Sequence, residues 1–218
     1  MPAHAVLVAG ATGLIGRELV AQSLDAGETV HALARRAPPV AKPRAGLHWL
    51  NIDYPTLPVL PKASEAYCAL GTTIKVAGSQ QAFRAVDFDA VLHFARACRA
   101  CGVQRLAVVS SLGADATSSN FYSRVKGEME AALSALGFTS LVIVRPSLLA
   151  GDRAALGQPA RLGERLMLAA TAPLAPLMPK AWRPIQAATV ARGMRAALRQ
   201  AAPGTRIVNS GELQELGA

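Results

Sequence analysis

Seven residues, GATGLIG (10–16), join an apolar run to a helical pattern, and no other part of the chain narrows the fold as much. The run before them, HAVLVAG (4–10), is apolar nearly throughout, as a strand covered on both faces must be. The alternation then recurs. Strand-like runs are expected at TVHALARR (29–36), LHWLNID (47–53), AYCALGT (66–72), RLAVVSS (105–111) and SLVIVRP (140–146). Helical spacing runs through about Asp25. It returns over 79–100, with Phe83, Val86, Ala90, Val91, Phe94, Ala97 and Cys98 on one face, and over 119–136, where Gly137 can end it. Apolar strands alternating with helices predict an α/β protein with a doubly wound parallel sheet. Beyond Gly151, prolines 159, 173, 176, 179 and 184 break the pattern. A helix over about 187–201 and a short strand at TRIVNS (205–210) close the chain. We expect a single domain over 1–218, with its core in about 1–150. A short C-terminal extension, about 151–218, would fold over the sheet edge where ligands bind.

Gly10, Gly13 and Gly16 sit between the first strand and the first helix. At that place glycines permit a tight turn, close approach of backbone to a pyrophosphate, and close helix–strand packing. The helix start offers free N–H groups and the positive end of its dipole. This is the Rossmann-type arrangement for a dinucleotide, and packing alone is the plainer alternative. An NAD site usually has an acidic residue near the end of the second strand. This chain has Arg35 and Arg36 there. A guanidinium can hold a 2′-phosphate that a carboxylate would repel, so NADP(H) is favoured over NAD(H). Asp53, after the third strand, is placed either to accept from the adenine amino group or to serve as a turn residue.

Tyr122 and Lys126 stand four residues apart in NFYSRVKGE (120–128) and share one helix face. Ser110 and Ser111 end the fifth strand, at the carboxyl edge where such sheets bind ligands. A nearby ammonium favours the phenolate of a tyrosine, whose ordinary pKa is about 10. A tyrosine so placed can exchange a proton with a carbonyl or alcohol oxygen, while a serine hydroxyl steadies that oxygen. The competing reading is a core tyrosine beside a solvated lysine.

The net charge of +9 invites a nucleic-acid partner, but the 18 arginines are scattered and aromatics make up 5% of the chain. Nucleic acid is therefore not expected as the main partner. Cys98 and Cys101 spell CxxC within a helix, with no second CxxC or histidine pair near it, so packing is expected and no metal site. The most apolar stretch, 166–178, is broken by Pro173 and Pro176, which argues against a membrane span. The start of the chain lacks the features of a secretory signal, and a cytoplasmic location is expected by default.

GATGLIG, YxxxK and VVSS together resemble the short-chain dehydrogenase/reductase superfamily in its extended or atypical branch. LGTTIKVAGSQQAFRAVDFD, VVSSLGADATSSNFYSRVKGEME and VRPSLLAGDR resemble the Tat-interacting-protein-like oxidoreductases and their bacterial relatives, often labelled NAD(P)-binding or epimerase/dehydratase-like. The resemblance spans nearly the whole chain. It implies cofactor contacts from Gly10, Thr12, Gly13, Leu14, Ile15, Arg35 and Arg36, and from Leu70, Gly71, Thr72 and Thr73. It also implies contacts from Tyr122 and Lys126, and from Pro146, Ser147 and Leu148. Ser111, the second of the serine pair, is implied as the catalytic serine. Tyr122 follows it by 11 residues, slightly closer than is usual in the superfamily. Asp87 stands where many extended members carry asparagine. Helices 79–100 and 119–136 are available as a homodimer face, as in many members.

These readings predict an NADPH-dependent oxidoreductase acting on a small, apolar carbonyl substrate. Tyr122 would be the acid/base, Lys126 would hold the ribose, and Ser111 would orient the carbonyl. The 68 residues after Ala150 offer little material for a sugar-nucleotide pocket, and the apolar stretch 166–178 could line a smaller one or simply pack. The alternative is an NADPH-binding regulatory or sensor protein with little or no turnover.

Overall fold

The computed structural model describes residues 4–35, 44–150 and 179–218; Arg36 and the apolar stretch 166–178 lie outside the described residues. Nine strands are present among them: β1 Ala5–Ala9, β2 Thr29–Ala34, β3 Leu47–Asn51, β4 Glu65–Cys68, β5 Arg105–Val109, β6 Ser140–Arg145, β7 Leu149–Ala150, β8 Ile185–Gln186 and β9 Gly204–Asn209. Seven make one sheet in the order β3-β2-β1-β4-β5-β6-β9, every neighbouring pair parallel. The expected doubly wound sheet is present, and TRIVNS supplies its edge strand beside β6. The order turns back between β1 and β4, which opens a crevice at their carboxyl ends.

Each face of the sheet is covered. On one side α1 (Leu14–Asp25) and α6 (Ala187–Gln200) form a layer with Val6, Val8, Tyr67, Val142 and Val208. On the other, the helical run from Gln80 and α5 (Phe121–Ser134) cover Leu7, Leu33, Leu106 and Ile143. Burying one such side chain stabilises the fold by about 1.5–3 kcal/mol. Two short helices, α2 (Ile74–Ala77) and α7 (Ser210–Leu216), were not expected from the sequence.

The helix expected over 79–100 is interrupted. It begins as α3 (Gln80–Arg84), widens into a π-helical stretch (Ala85–Ala90), and resumes as α4 (Val91–Ala100). The wider turn brings Asp87 rather than Val86 fully into the interior. Stretches of this kind recur at functional sites.

The amino edge of the sheet carries a polar layer. Arg195 makes a two-pronged contact with Glu28, 3.0 Å for each bond, and donates to Ser23. Arg105 pairs with Glu65 at 3.2 Å and donates to the Leu198 carbonyl, while Tyr67 donates to Glu65 at 2.8 Å.

The entry to α5 is fixed by its own loop. Asn120 caps the helix by accepting from the Ser123 amide at 3.1 Å, and the Asp115 amide donates to the Ser123 carbonyl at 3.0 Å. Gly127 faces this loop so closely that an added Cβ would lie 2.1 Å from the Ala116 nitrogen. Gly127→Ala should therefore push helix and loop apart and destabilise the protein by about 1–3 kcal/mol or more. In urea unfolding the midpoint should fall with an unchanged slope; an unchanged midpoint would mean that the loop yields freely.

Candidate functional site

The glycine turn has the shape its spacing predicts. Gly10 takes a φ of +73°, and a Cβ there would stand 2.6 Å from the Ala69 carbonyl oxygen. At Gly16 a Cβ would meet the Gly10 carbonyl oxygen at 2.0 Å, so α1 can approach β1 this closely only with glycine at that position. Gly13 is the N-cap of α1, and no side chain caps the helix. No side chain therefore takes up its first amides, the groups an anion site at a helix start would use. Arg17 closes the turn by donating to the Thr12 carbonyl at 3.1 Å. These residues fit the pyrophosphate of a dinucleotide.

Arg35 lies exposed just beyond β2, and Asp53 is exposed ahead of the 3₁₀ turn Tyr54–Thr56. The Asp53 side chain does not cap that turn. Sequence reasoning did not single out Tyr54. Its ring is buried, and its hydroxyl accepts the Gly10 N–H at 3.3 Å. A tyrosine three residues past a strand carries no spacing signal that points across the sheet to a glycine turn.

The centre of the crevice is built around a buried ion pair. Lys126 Nζ stands 2.7 Å from Asp87 Oδ1, with side-chain exposures of 3% and 1%. The other carboxylate oxygen accepts the Thr72 N–H at 2.9 Å. A Cβ on Gly71 would lie 3.4 Å from Asp87 Oδ1 and 3.9 Å from Lys126 Nζ. The loop after β4, the π-helical stretch and α5 therefore meet at one point. Burial works against the lysine's charge, but the Asp87 carboxylate, and then the Tyr122 phenol, outweigh it and hold the ammonium above its ordinary range. Tyr122 is half-buried, with its ring 5.2 Å from that of the fully buried Phe83. Leu70 is half-buried at the same loop, and Thr73 caps α2 by accepting from the Val76 amide at 3.3 Å.

The two serines part company. Ser110 turns into the interior and donates to Glu130 Oε1 at 2.5 Å; Arg145 holds the same carboxylate with bonds of 3.0 and 2.6 Å. Ser111, half-buried one residue on, makes a long 3.3 Å bond to the Leu112 carbonyl. Beyond β6, Pro146 accepts the Leu112 N–H at 3.1 Å, and the Leu148 carbonyl accepts from Ile185 at 3.0 Å. Ser147 donates to the Arg183 carbonyl at 2.5 Å and accepts from Ser210 at 2.9 Å. The structure thus gathers Gly71, Thr72, Tyr122 and Lys126, adds Asp87 to them, and engages the hydroxyls of Ser110 and Ser147 in structural bonds.

Cys98 and Cys101 belong to the packing of α4, whereas Cys68, fully buried at the end of β4, lies within electrostatic reach of Lys126 and Asp87. Burial pushes the Cys68 thiol up to about 12 and raises Cys98 and Cys101. Cys101 donates to the Cys98 carbonyl at 3.2 Å. No described helix is long and apolar enough to cross a membrane.

Comparison with known proteins agrees with this geometry. A family model described as NAD(P)H-binding matches residues 10–166. The mitochondrial protein FMP52-1 of Scheffersomyces stipitis is 34% identical over 152 residues, covering 67% of each chain. Among solved structures, MoeE5 in complex with UDP-glucose and NAD matches with a TM-score of 0.69 at 19% identity, over 98% of this chain and 80% of that one. The human epimerase family protein SDR39U1 with NADPH matches with a TM-score of 0.65 at 19% identity, over 94% and 74%. Both likenesses are of fold.

The relatives overturn one expectation. Several FMP52 proteins matching about two-thirds of the chain are named mitochondrial, which points to mitochondria rather than the cytoplasm. The cytoplasmic expectation rested on the lack of a secretory signal. That lack does not bear on mitochondrial import, which uses amphipathic, arginine-rich segments instead. The glycine turn, the strand order and these matches agree on one lineage: the chain belongs to the NAD(P)H-binding family.

Proposed function

We propose that this protein is an NADPH-dependent oxidoreductase that reduces a small, apolar carbonyl compound. The observation that carries the reading is the Lys126 ammonium, fixed by Asp87 on the helix face that also bears Tyr122, beside the crevice. The glycine turn of Gly10, Thr12, Gly13, Leu14, Ile15 and Gly16 would hold the pyrophosphate. Arg35 and Arg36 would hold the 2′-phosphate, and Asp53 would accept from the adenine amino group. Leu70, Gly71, Thr72 and Thr73, with Pro146, Ser147 and Leu148, would flank the nicotinamide half. The bound nicotinamide supplies a hydride.

The chain's own residues do the rest. Tyr122 Oη delivers the proton to the substrate oxygen, and Ser111 orients that oxygen. Lys126 holds the ribose and keeps a positive charge next to Tyr122. Asp87 keeps that lysine charged and in place. The depth of this ion pair also favours a second reading, a sensor that grips NADPH without turnover. Lys126 is so enclosed that its first role is structural.

Two measurements test the reading. Following nicotinamide fluorescence, Arg35→Ala should weaken NADPH binding by about 1.5 kcal/mol, or about tenfold. NADH binding should change by much less, because a single charge-assisted contact to the 2′-phosphate is removed. Equal losses for both would remove the case for NADPH preference. In an assay against small aldehydes, ketones and quinones, Tyr122→Phe should lower turnover by about 100- to 10,000-fold while NADPH still binds. Tight NADPH binding by the unaltered protein, with no turnover of any carbonyl, would favour the sensor.

A further inference from the structure

Tyr54 opens the turn after β3, and its ring belongs to the same apolar layer as Ala9, Leu33, Ile52 and Leu60. Its hydroxyl reaches Gly10, the first residue beyond β1, at the point where the strand order turns back. In this contact the oxygen is the acceptor, since a backbone amide can only donate. The phenolic proton is left over. Burial foremost, then Cys68, holds the phenol well above tyrosine's ordinary range, although the Gly10 amide and Arg35 pull the other way. The group therefore keeps its proton at neutral pH and has an O–H to donate.

Among the described residues nothing accepts that proton. A buried O–H without an acceptor is destabilising, and phenylalanine would fill the same space without that penalty. The hydroxyl stands at the turn that approaches a pyrophosphate, within electrostatic reach of the arginine at the end of β2. A ligand oxygen arriving there would complete it.

We propose that Tyr54 is a cofactor-binding residue whose hydroxyl donates to an oxygen of the dinucleotide's adenosine ribose or pyrophosphate. This rests on the dinucleotide reading above and adds to it a contact that the glycine spacing does not predict. The Gly10 amide fixes the hydroxyl before the nucleotide arrives, so the contact costs little ordering.

The test uses NADPH and ADP, which share the adenosine ribose and a pyrophosphate-type group, with calorimetric titration of the whole protein. Tyr54→Phe should weaken both by about three- to tenfold, the worth of one ordinary hydrogen bond. Unchanged affinity for ADP would overturn the proposal. So would a loss confined to NADPH, which would place the effect on the 2′-phosphate or the nicotinamide half, the parts ADP lacks. Melting of the nucleotide-free variant checks that it is folded. A measurement on the unaltered protein guards against a folding defect in the variant. The chain has three tyrosines. With each labelled at the ring carbon bearing the hydroxyl, the Tyr54 resonance should shift on adding ADP while that of Tyr67 stays in place. An unmoved Tyr54 resonance would again overturn the proposal. If the unaltered protein bound neither nucleotide, the dinucleotide reading itself would fall, and this contact with it.

Discussion

A lysine ammonium cannot be buried alone, and much of this protein's crevice is arranged so that Lys126 is not. Removing an ion of that size from water costs several kcal/mol even after relaxation. The attraction of a carboxylate at 2.7 Å offsets this only if the carboxylate is itself well held. Asp87 is held from two sides, by the ammonium and by the Thr72 amide. The π-helical stretch is what lets a residue of the helix run from Gln80 reach that position. Gly71 lines the pair, within van der Waals reach of both side chains. Three elements remote in sequence are thus brought to one point by the need to satisfy one charge. Tyr122, one helical turn from Lys126, takes its place from the same requirement.

The doubly wound parallel sheet was legible in the sequence because strands buried on both faces have to be apolar at nearly every position. The glycine turn was legible because the backbone contact at Gly16 admits no side chain. The π-helical stretch was not. One widened turn shifts the buried face by a single residue, and Val86 and Asp87 then exchange places. A pattern that ranks valine above aspartate for the interior assigns that position to Val86. A buried carboxylate can be read from sequence only when its partner is known, and Lys126 lies 39 positions away.

The serine pair shows a similar limit. Adjacent residues at the end of a strand point to opposite sides, so one of the two was bound to face inward. Sequence alone does not say which side is the crevice. The decision is made by Glu130, two turns beyond Tyr122 on α5, which takes the Ser110 hydroxyl and the Arg145 guanidinium together. That cluster ties α5 to the ends of β5 and β6. The loop between β5 and α5 is then packed tightly against Gly127, with the Asp115 amide donating to the Ser123 carbonyl.

The two edges of the sheet differ in how their polar groups are used. At the amino edge Arg195 pairs with Glu28, and Glu65 takes both Arg105 and Tyr67. Such a layer stabilises one arrangement of the chain. At the carboxyl edge, α1 begins without a side-chain cap, Arg35 stands exposed, and the Tyr54 hydroxyl meets a donor where it could itself donate. Burying the Tyr54 hydroxyl proton without a partner works against stability, and an uncapped helix start and an exposed guanidinium are open to an anion. A phosphate-rich ligand that brings acceptors to all three would complete the hydrogen bonding that the protein leaves open.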